Sequence, residues 1–209
     1  MTEEEARAWI ADRWGSEGVA KIDRFAKALI SANMQQNLIA KSSTEYVWSR
    51  HFVDSAQLLE LTGEIWGDAR VLDIGSGAGL PGLVIALLEP DRRVNLVEPR
   101  AARVKWLQSI IDTFSLRHCT VHACKVDRLE PFEVELISAR AVASLEKLVA
   151  WGAPFSTNRT TWVLPKGKSA WQELEQAPKP VRKMFHVEQS ITDPHAGILI
   201  GKGRIKVKA

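Results

Sequence analysis

The stretch VLDIGSGAGLPG, residues 71–82, places several glycines directly after an apolar run that ends in an aspartate. The glycines are Gly75, Gly77, Gly79 and Gly82. Glycine has no side chain, so the backbone can turn sharply with positive φ and a ligand can approach the main chain closely. Leu80 and Pro81 are predicted to begin a helix whose free N–H groups point to the same place. The pattern therefore indicates a ligand-binding loop between a strand and a helix.

Two classes of ligand fit this loop. Gly77, Gly79 and Gly82 satisfy the pattern G-x-G-x-x-G, which is typical of dinucleotide sites. Asp73 favours the other class, because a carboxylate just before Gly75 would repel a pyrophosphate and attract a cationic ligand. The pattern D-x-G-x-G-x-G is typical of proteins that bind S-adenosylmethionine, which carries an ammonium and a sulfonium. The glycines alone leave the dinucleotide site open.

A second acid, Glu98, ends the strand that is predicted to follow. An acid at this point of a parallel sheet can accept hydrogen bonds from two ribose hydroxyls. Such an acid occurs in both classes of site. Glu98 therefore supports a nucleoside-binding site without deciding between the two ligands.

Alternating strand and helix patterns position the loop. From Arg70 onward, short β-rich runs alternate with amphipathic segments, which predicts a mostly parallel sheet in a three-layer α/β sandwich. The predicted strands are RVLDI (70–74), RVNLVE (93–98), CTVHACKV (119–126), VELISA (134–139) and TTWVLPK (160–166), with two more near KMFHVEQS and GILIGKG. In such a sheet a ligand binds beyond the carboxyl ends of the strands, where strand order reverses. The glycine-rich stretch lies at that edge.

The beginning of the chain has a different pattern. Residues 3–14 and 18–40 carry apolar residues at helical spacing on either side of the breaker GSEG. A third helix is predicted from about Thr44, whose STEY segment is typical of an N-cap. We therefore divide the chain into an N-terminal helical extension, residues 1–66, and a compact α/β domain, residues 67–209.

Composition and cysteine placement favour a cytoplasmic protein. The chain is 45% hydrophobic and 25% charged, has no apolar run of membrane-spanning length, and begins with acidic residues rather than a basic signal peptide. Cys119 and Cys124 lie on one predicted strand, where a disulfide is geometrically poor, so we expect free thiols. The nearby His118 and His122 do not complete a metal site, because four ligands cannot converge from one extended segment. We expect a monomer without metal or membrane contact.

Longer segments carry a more specific signal than the glycines. They are RHFVDSAQLL (50–59), DIGSGAGLPG (73–82) and ISARAVASLEKLVAW (137–151), with QQNLIAK (35–41) and VLPKGK (163–168). In this order and spacing they resemble the RsmG (GidB) family of bacterial small-subunit ribosomal RNA methyltransferases. The resemblance covers most of the chain and implies a Rossmann-like class I S-adenosylmethionine-dependent methyltransferase with an N-terminal helical extension. It implies methyl transfer to N7 of a guanine in the 530 loop of 16S ribosomal RNA, with S-adenosylhomocysteine as the product.

The resemblance also implies site residues. Cofactor contacts would come from Gly75, Leu80, Val126, Asp127 and Arg140, beside Asp73, Gly77, Gly79 and Glu98 of the loop and the next strand end. No catalytic residue is expected, because guanine N7 has a lone pair and no proton and its attack needs no general base. The candidates on the RNA side are Arg50, His51, Lys166 and Lys168. Arg140 could serve either the cofactor carboxylate or an RNA phosphate.

Two other functions fit parts of the same pattern. A nicotinamide-dependent oxidoreductase would hold a dinucleotide in the glycine-rich loop. A non-catalytic RNA-binding protein with this fold would bind RNA without transferring a methyl group. The net charge of +3 is mild, but basic residues outnumber acids from Lys166 onward, which permits a polyanionic partner such as 16S ribosomal RNA or the small subunit.

Overall fold

The computed structural model describes residues 1–63 and 68–205. Its strands are β1 (Arg70–Ile74), β2 (Arg93–Val97), β3 (Cys119–His122), β4 (Val134–Ser138), β5 (Ser156–Gly167), β6 (Phe185–Gln189) and β7 (Gly197–Lys202). Within the described residues these strands form one sheet in the order β3-β2-β1-β4-β5-β7-β6. Strands β1 to β5 pair in parallel, whereas β7 runs antiparallel to both β5 and β6. The predicted mostly parallel sheet is confirmed.

Helices cover both faces of the sheet and complete three layers. They are α1 (Glu3–Gln36), α2 (Asp54–Ala56), α3 (Gly82–Leu88), α4 (Ala101–Phe114), α5 (Leu145–Gly152), α6 (Ala170–Gln176) and α7 (Lys179–Met184). Successive side chains of a strand point to opposite faces. Val71 therefore joins the core under α1, α3 and α4, while Leu72 joins the core under α5, α6 and α7. None of these helices, which lie in the described part of the chain, is long and apolar enough to cross a membrane.

Helix α1 contains the break that the sequence predicts. Gly15, inside the GSEG segment, has φ 63° and ψ −168°, far from helical values. The helix ends at Gln36 rather than near residue 40. Asn37 adopts a left-handed conformation there, and its N–H donates to the carbonyl of Asn33.

The prediction of a regular third helix from Thr44 is wrong. Residues 41–62 form a 3₁₀ turn (Lys41–Tyr46), a π turn (Trp48–Val53), α2 and a second 3₁₀ turn (Gln57–Thr62). Thr44 does not cap a helix, because its hydroxyl donates back to the carbonyl of Lys41 at 2.7 Å. The hydroxyl of Ser43 donates to Ala40 in the same way. Such bonds from side chain to backbone compete with regular helix.

Several other predicted boundaries also differ from the structure. Helix α3 begins at Gly82 rather than at Leu80. Strand β3 ends at His122, and Val126–Arg128 form a 3₁₀ turn instead of extending the strand. Helices α6 and α7, between β5 and β6, were not predicted. The proposed domain boundary between residues 66 and 67 lies outside the described residues.

Candidate functional site

Two cavities open beyond the carboxyl ends of the parallel strands, where strand order reverses between β1 and β4. The first cavity, of about 420 Å³, is lined by residues 75–78 and by Leu38, Leu80, Glu98 and Arg103. The second cavity, of about 580 Å³, is lined by Arg50, Asp54, Lys166, Glu173, Ser190 and Asp193. Residues 140–142, which follow β4, line both cavities. The two cavities therefore share one wall.

The glycine loop, residues 75–81, needs its glycines for conformation and for space. Gly75, Gly77 and Gly79 have φ of 72°, 56° and 91°, values that other residues rarely adopt. The N–H groups of Gly75 and Ser76 both donate to the carbonyl of Val97, which ties the loop to β2. A Cβ on Gly75 would lie 2.6 Å from Val142 Cγ2. The shared wall thus rests directly on the loop backbone.

Asp73 lies beneath the glycine loop and outside the lining of the cavity. It is 1% exposed. Its Oδ1 accepts from the Ser138 hydroxyl at 2.9 Å, and its Oδ2 accepts from the Gly82 N–H at 3.3 Å. The sequence predicted a direct cofactor contact, but both carboxylate oxygens face the protein. Asp73 thus contacts Gly82, the first residue of α3.

Burial changes the acidity of this group. Desolvation raises the pKa of Asp73 to about 6, and hydrogen bonds from Ser76, Ser138 and the Gly82 backbone oppose part of that rise. The ordinary value is 3.8, so folding favours the protonated form of this carboxyl group.

We expect Asp73→Asn to remove a pH-dependent part of the stability. Because the folded pKa lies above the unfolded one, this group's contribution is complete below about pH 4 and is lost as pH rises through about 6. The shift corresponds to about 3 kcal/mol in the free energy of unfolding. Urea unfolding of wild type and variant between about pH 4 and pH 7 measures it, with Asp91→Asn at an exposed acid as the charge control. The prediction is contradicted if the variant keeps the wild-type slope.

Glu98 occupies the predicted position at the end of β2 and lines the first cavity. Its Oε2 accepts from the Gly77 N–H at 3.0 Å, and its Oε1 accepts from the Arg100 N–H at 2.9 Å. A carboxylate offers about four lone-pair sites. The two that remain can accept from the hydroxyls of a ribose, so Glu98 fits a nucleoside ligand while it holds the loop.

Of the other predicted cofactor residues, some line the first cavity and others do not. Leu80 is buried and lines the first cavity. Gly79 belongs to the loop but packs over Leu83 rather than lining the cavity. Val126 and Asp127 form the 3₁₀ turn after β3, at the same edge of the sheet but outside the lining of both cavities. Their contact with a cofactor stays a prediction.

Arg140 is held by the RHFVD segment, residues 50–54, which covers the end of the π turn and the first residue of α2. Its Nη1 forms an ion pair with Asp54 Oδ2 at 3.0 Å and donates to the Arg50 carbonyl at 3.3 Å. Its Nη2 donates to His51 Nδ1 at 3.1 Å. Thr192 and the amide of Gln57 also donate to Asp54 Oδ1. The sequence analysis did not identify Asp54, although it orients the guanidinium that lies between the two cavities.

His51 is placed to hold Arg140 rather than to contact RNA. Arginine has only donors, so His51 Nδ1 is the acceptor and its Nε2–H donates to the Ser43 hydroxyl, 2.8 Å away. Burial lowers the pKa of His51 to about 3, helped by the positive charges of Arg140 and Arg50. The imidazole is therefore neutral at physiological pH and offers no positive charge to a phosphate, contrary to the expected RNA-side role.

The remaining RNA-side candidates differ in how they are placed. Lys166 is nearly buried, with its Nζ 2.8 Å from Glu173 Oε2 and also donating to the Ala143 carbonyl. It joins β5 to α6 and to the loop after β4. Arg50 and Lys168 have exposed side chains. These two are better placed than Lys166 for phosphate contacts.

The N-terminal helical extension reaches the first cavity, a contact that was not predicted from the sequence. Leu38 lines it, and the next residue, Ile39, donates its N–H to the side chain of Asn33 at 2.8 Å. The buried Trp106 of α4 donates its indole N–H to the Ala78 carbonyl at 3.0 Å. Its ring stacks on Phe25 of α1, with centroids 6.3 Å apart. The glycine loop is therefore braced by α1 through α4.

The thiols and nearby histidines form no candidate metal site. Cys119 and Cys124 are free cysteines. His122 Nε2 pairs with Asn95 Oδ1 at 3.0 Å. Across residues 1–63 and 68–205, no group of three His, Cys, Asp or Glu side chains is arranged to hold a metal ion.

The three-layer sandwich, the glycine loop after β1 and the acid at the end of β2 define the Rossmann-like fold of S-adenosylmethionine-dependent methyltransferases. A crystal structure of an MtNAS mutant in complex with S-adenosylmethionine superposes with a TM-score of 0.58 and 15% sequence identity. The match covers 97% of this chain and 84% of that one. The predicted fold class is confirmed.

The family follows from closer relatives. The model of the GidB family, described as rRNA small subunit methyltransferase G, matches residues 19–198. The ribosomal RNA small subunit methyltransferase G of Erythrobacter litoralis is 49% identical over 98% of each chain. That of Novosphingobium aromaticivorans is 45% identical over 97% of this chain and 89% of its own. The chain belongs to the rRNA small subunit methyltransferase G (GidB) family, as its motifs predicted.

Proposed function

We propose that this protein transfers a methyl group from S-adenosylmethionine to N7 of a guanine in the 530 loop of 16S ribosomal RNA. The observation that carries the proposal is the pair of cavities that share the wall formed by residues 140–142. A group transfer needs a donor site and an acceptor site that meet at one point. The names of the relatives, which are ribosomal RNA small subunit methyltransferases, support methyl transfer to this RNA.

The first cavity fits the donor. Gly75 and Gly77 present bare backbone, and a Cβ on Gly75 would run into the shared wall. Glu98 retains acceptor sites for a ribose, and Leu38 adds an apolar surface. Arg140 has five N–H donors, of which the contacts with Asp54, His51 and the Arg50 carbonyl use three. The remaining donors suit the carboxylate of the methionine part.

The second cavity fits the acceptor. Its volume of about 580 Å³ lies in the ordinary range for a small-molecule or base pocket. S-adenosylmethionine supplies an electrophilic methyl group on a sulfonium, and guanine N7 brings its own lone pair. Because this acceptor carries no proton at N7, neither the neutral His51 nor the ion-paired Lys166 is needed as a base. The residues of the shared wall act by aligning the acceptor and excluding water.

The cellular setting and the division of the chain are part of the same proposal. We infer a cytoplasmic monomer that acts on 16S ribosomal RNA or the small subunit. The helical extension, residues 1–66, and the methyltransferase domain, residues 67–209, are supported by the change from helices to sheet at Arg70. The N-terminal helices share one apolar core with α3 and α4.

Incubation with methyl-labelled S-adenosylmethionine and either small subunits or their extracted RNA tests the function. We expect label in 16S ribosomal RNA as N7-methylguanosine, identified after digestion to nucleosides. Label on a pyrimidine or on an exocyclic amine would refute the N7 assignment. RNA binding without any label would favour a non-catalytic RNA-binding protein.

Calorimetric titration separates the proposal from an oxidoreductase. We expect S-adenosylhomocysteine to bind and NAD not to bind. Binding of NAD alone would overturn the assignment of the first cavity.

A further inference from the structure

Trp171 lies beside the second cavity, next to its lining residue Gly197, with much of its ring in solvent. Its exposed fraction is 48%, and the other tryptophans in the described part of the chain are buried or half-buried. Its ring lies against Gly197, a lining residue of the cavity, where an added Cβ would be 3.0 Å from Trp171 Cζ3. A large aromatic ring that rests on bare backbone and keeps the rest of its surface free is available to another flat group.

The backbone that carries Trp171 is firmly held. Ala170 is fully buried. Glu173, two residues further along α6, accepts from the Leu145 N–H at 2.8 Å and pairs with Lys166 Nζ at 2.8 Å. The Ser169 hydroxyl donates to its other oxygen at 2.8 Å. The indole therefore projects from a helix that is fixed to the loop after β4 and to β5.

The surroundings of Trp171 match a single-stranded nucleic acid. Two further apolar side chains are exposed here. Val142 lines the second cavity, and Ile191 lies in the chain between two lining residues, Ser190 and Thr192. Two exposed cations are nearby. Arg50 lines the second cavity, and Lys168 lies three residues before Trp171 in the chain. Proteins that bind single strands combine aromatic platforms for bases with cations for phosphates. Separate apolar side chains interspersed with cations favour stacked bases over a continuous protein interface.

We propose that Trp171 stacks on the nucleobase next to the target guanine in the RNA chain. The proposal rests on the proposed function, since it assumes that the second cavity holds the target guanine. Trp171 then acts as a positioning residue that keeps the strand splayed at the cavity rim. It touches neither the cofactor nor the reacting atoms.

Methylation kinetics with Trp171→Ala and Trp171→Phe test this role. We expect the KM for small subunits or their RNA to rise on the order of 10-fold in Trp171→Ala, and most of this loss to be recovered in Trp171→Phe. The affinity for S-adenosylhomocysteine should stay at the wild-type value. Gln172→Ala, at the exposed neighbour on α6, is the matched control and should leave KM unchanged.

Each other outcome is decisive. A wild-type KM in Trp171→Ala, with an active wild-type enzyme, overturns the stacking role and leaves the proposed function intact. An equal loss in the alanine and phenylalanine variants, or a parallel loss of S-adenosylhomocysteine affinity, assigns Trp171 to packing. An effect on intact subunits without any effect on binding of deproteinised RNA assigns the platform to a ribosomal protein. A wild-type enzyme that labels no RNA overturns both proposals.

Discussion

Gly82→Ala is expected to abolish measurable S-adenosylhomocysteine binding and to lower the free energy of unfolding by about 3 kcal/mol. A Cβ at this position would lie 2.3 Å from Leu96 Cδ2 and 2.7 Å from Asp73 Oδ2. Neither group can move away easily, because Leu96 is fully buried and Asp73 is 1% exposed. The substitution therefore pushes α3 away from β1 and breaks the contact that fixes the end of the glycine loop.

Urea unfolding and calorimetric titration with S-adenosylhomocysteine measure the two effects. Gly15→Ala is the matched control, because Gly15 has φ 63° with nothing within 4 Å of an added Cβ. That control carries backbone strain of about 1–3 kcal/mol without a steric clash and should keep wild-type affinity. A Gly82→Ala protein that binds S-adenosylhomocysteine as the wild type does would show that the loop tolerates a displaced α3.

Arg140→Lys is expected to lower kcat/KM on the order of 100-fold, and Arg140→Ala by at least as much. The guanidinium bonds Asp54, His51 and the Arg50 carbonyl at once. Lysine carries a point charge on a flexible stem and cannot reproduce this planar fork. Either variant leaves the largely buried Asp54 without its main partner and frees the wall that separates the two cavities.

The readouts for Arg140 are kcat/KM for RNA methylation and the dissociation constant of S-adenosylhomocysteine, with a melting curve for each variant. Arg117→Lys, at an exposed arginine beyond α4, is the control and should behave as wild type. If Arg140→Lys retains full activity, the contacts between Arg140 and the π turn have no role in transfer.

The sheet could be predicted because its signals are local. Strand β1 has its predicted bounds, 70–74, since an apolar run between turn residues reads directly as a buried strand. The segment 41–62 could not be predicted, because hydroxyls such as those of Ser43 and Thr44 return to nearby carbonyls and replace regular helix with short turns. The helices α6 and α7 have only seven and six residues, too few for a periodic pattern.

The candidate site was predictable in position but not in orientation. Gly77 and Glu98 meet because neighbouring parallel strands end at the same edge. Asp73 could not be oriented from sequence, since only the packed structure shows its carboxylate directed to Ser138 and Gly82. The pairing of His51 with Arg140 joins residues far apart in the chain, and nothing in the local sequence of either records it.

A series of ring contacts runs from Phe52 through Phe25 to Trp106, whose indole N–H bonds the Ala78 carbonyl, and it links folding to cofactor binding. A ligand that stabilises the ordered glycine loop must also favour the packed state of α1, because the same rings belong to both. Hydrogen exchange in the buried half of α1 would then slow when the cofactor binds. The N-terminal helices therefore contribute to the free energy of cofactor binding, although among residues 1–63 only Leu38 lines the first cavity.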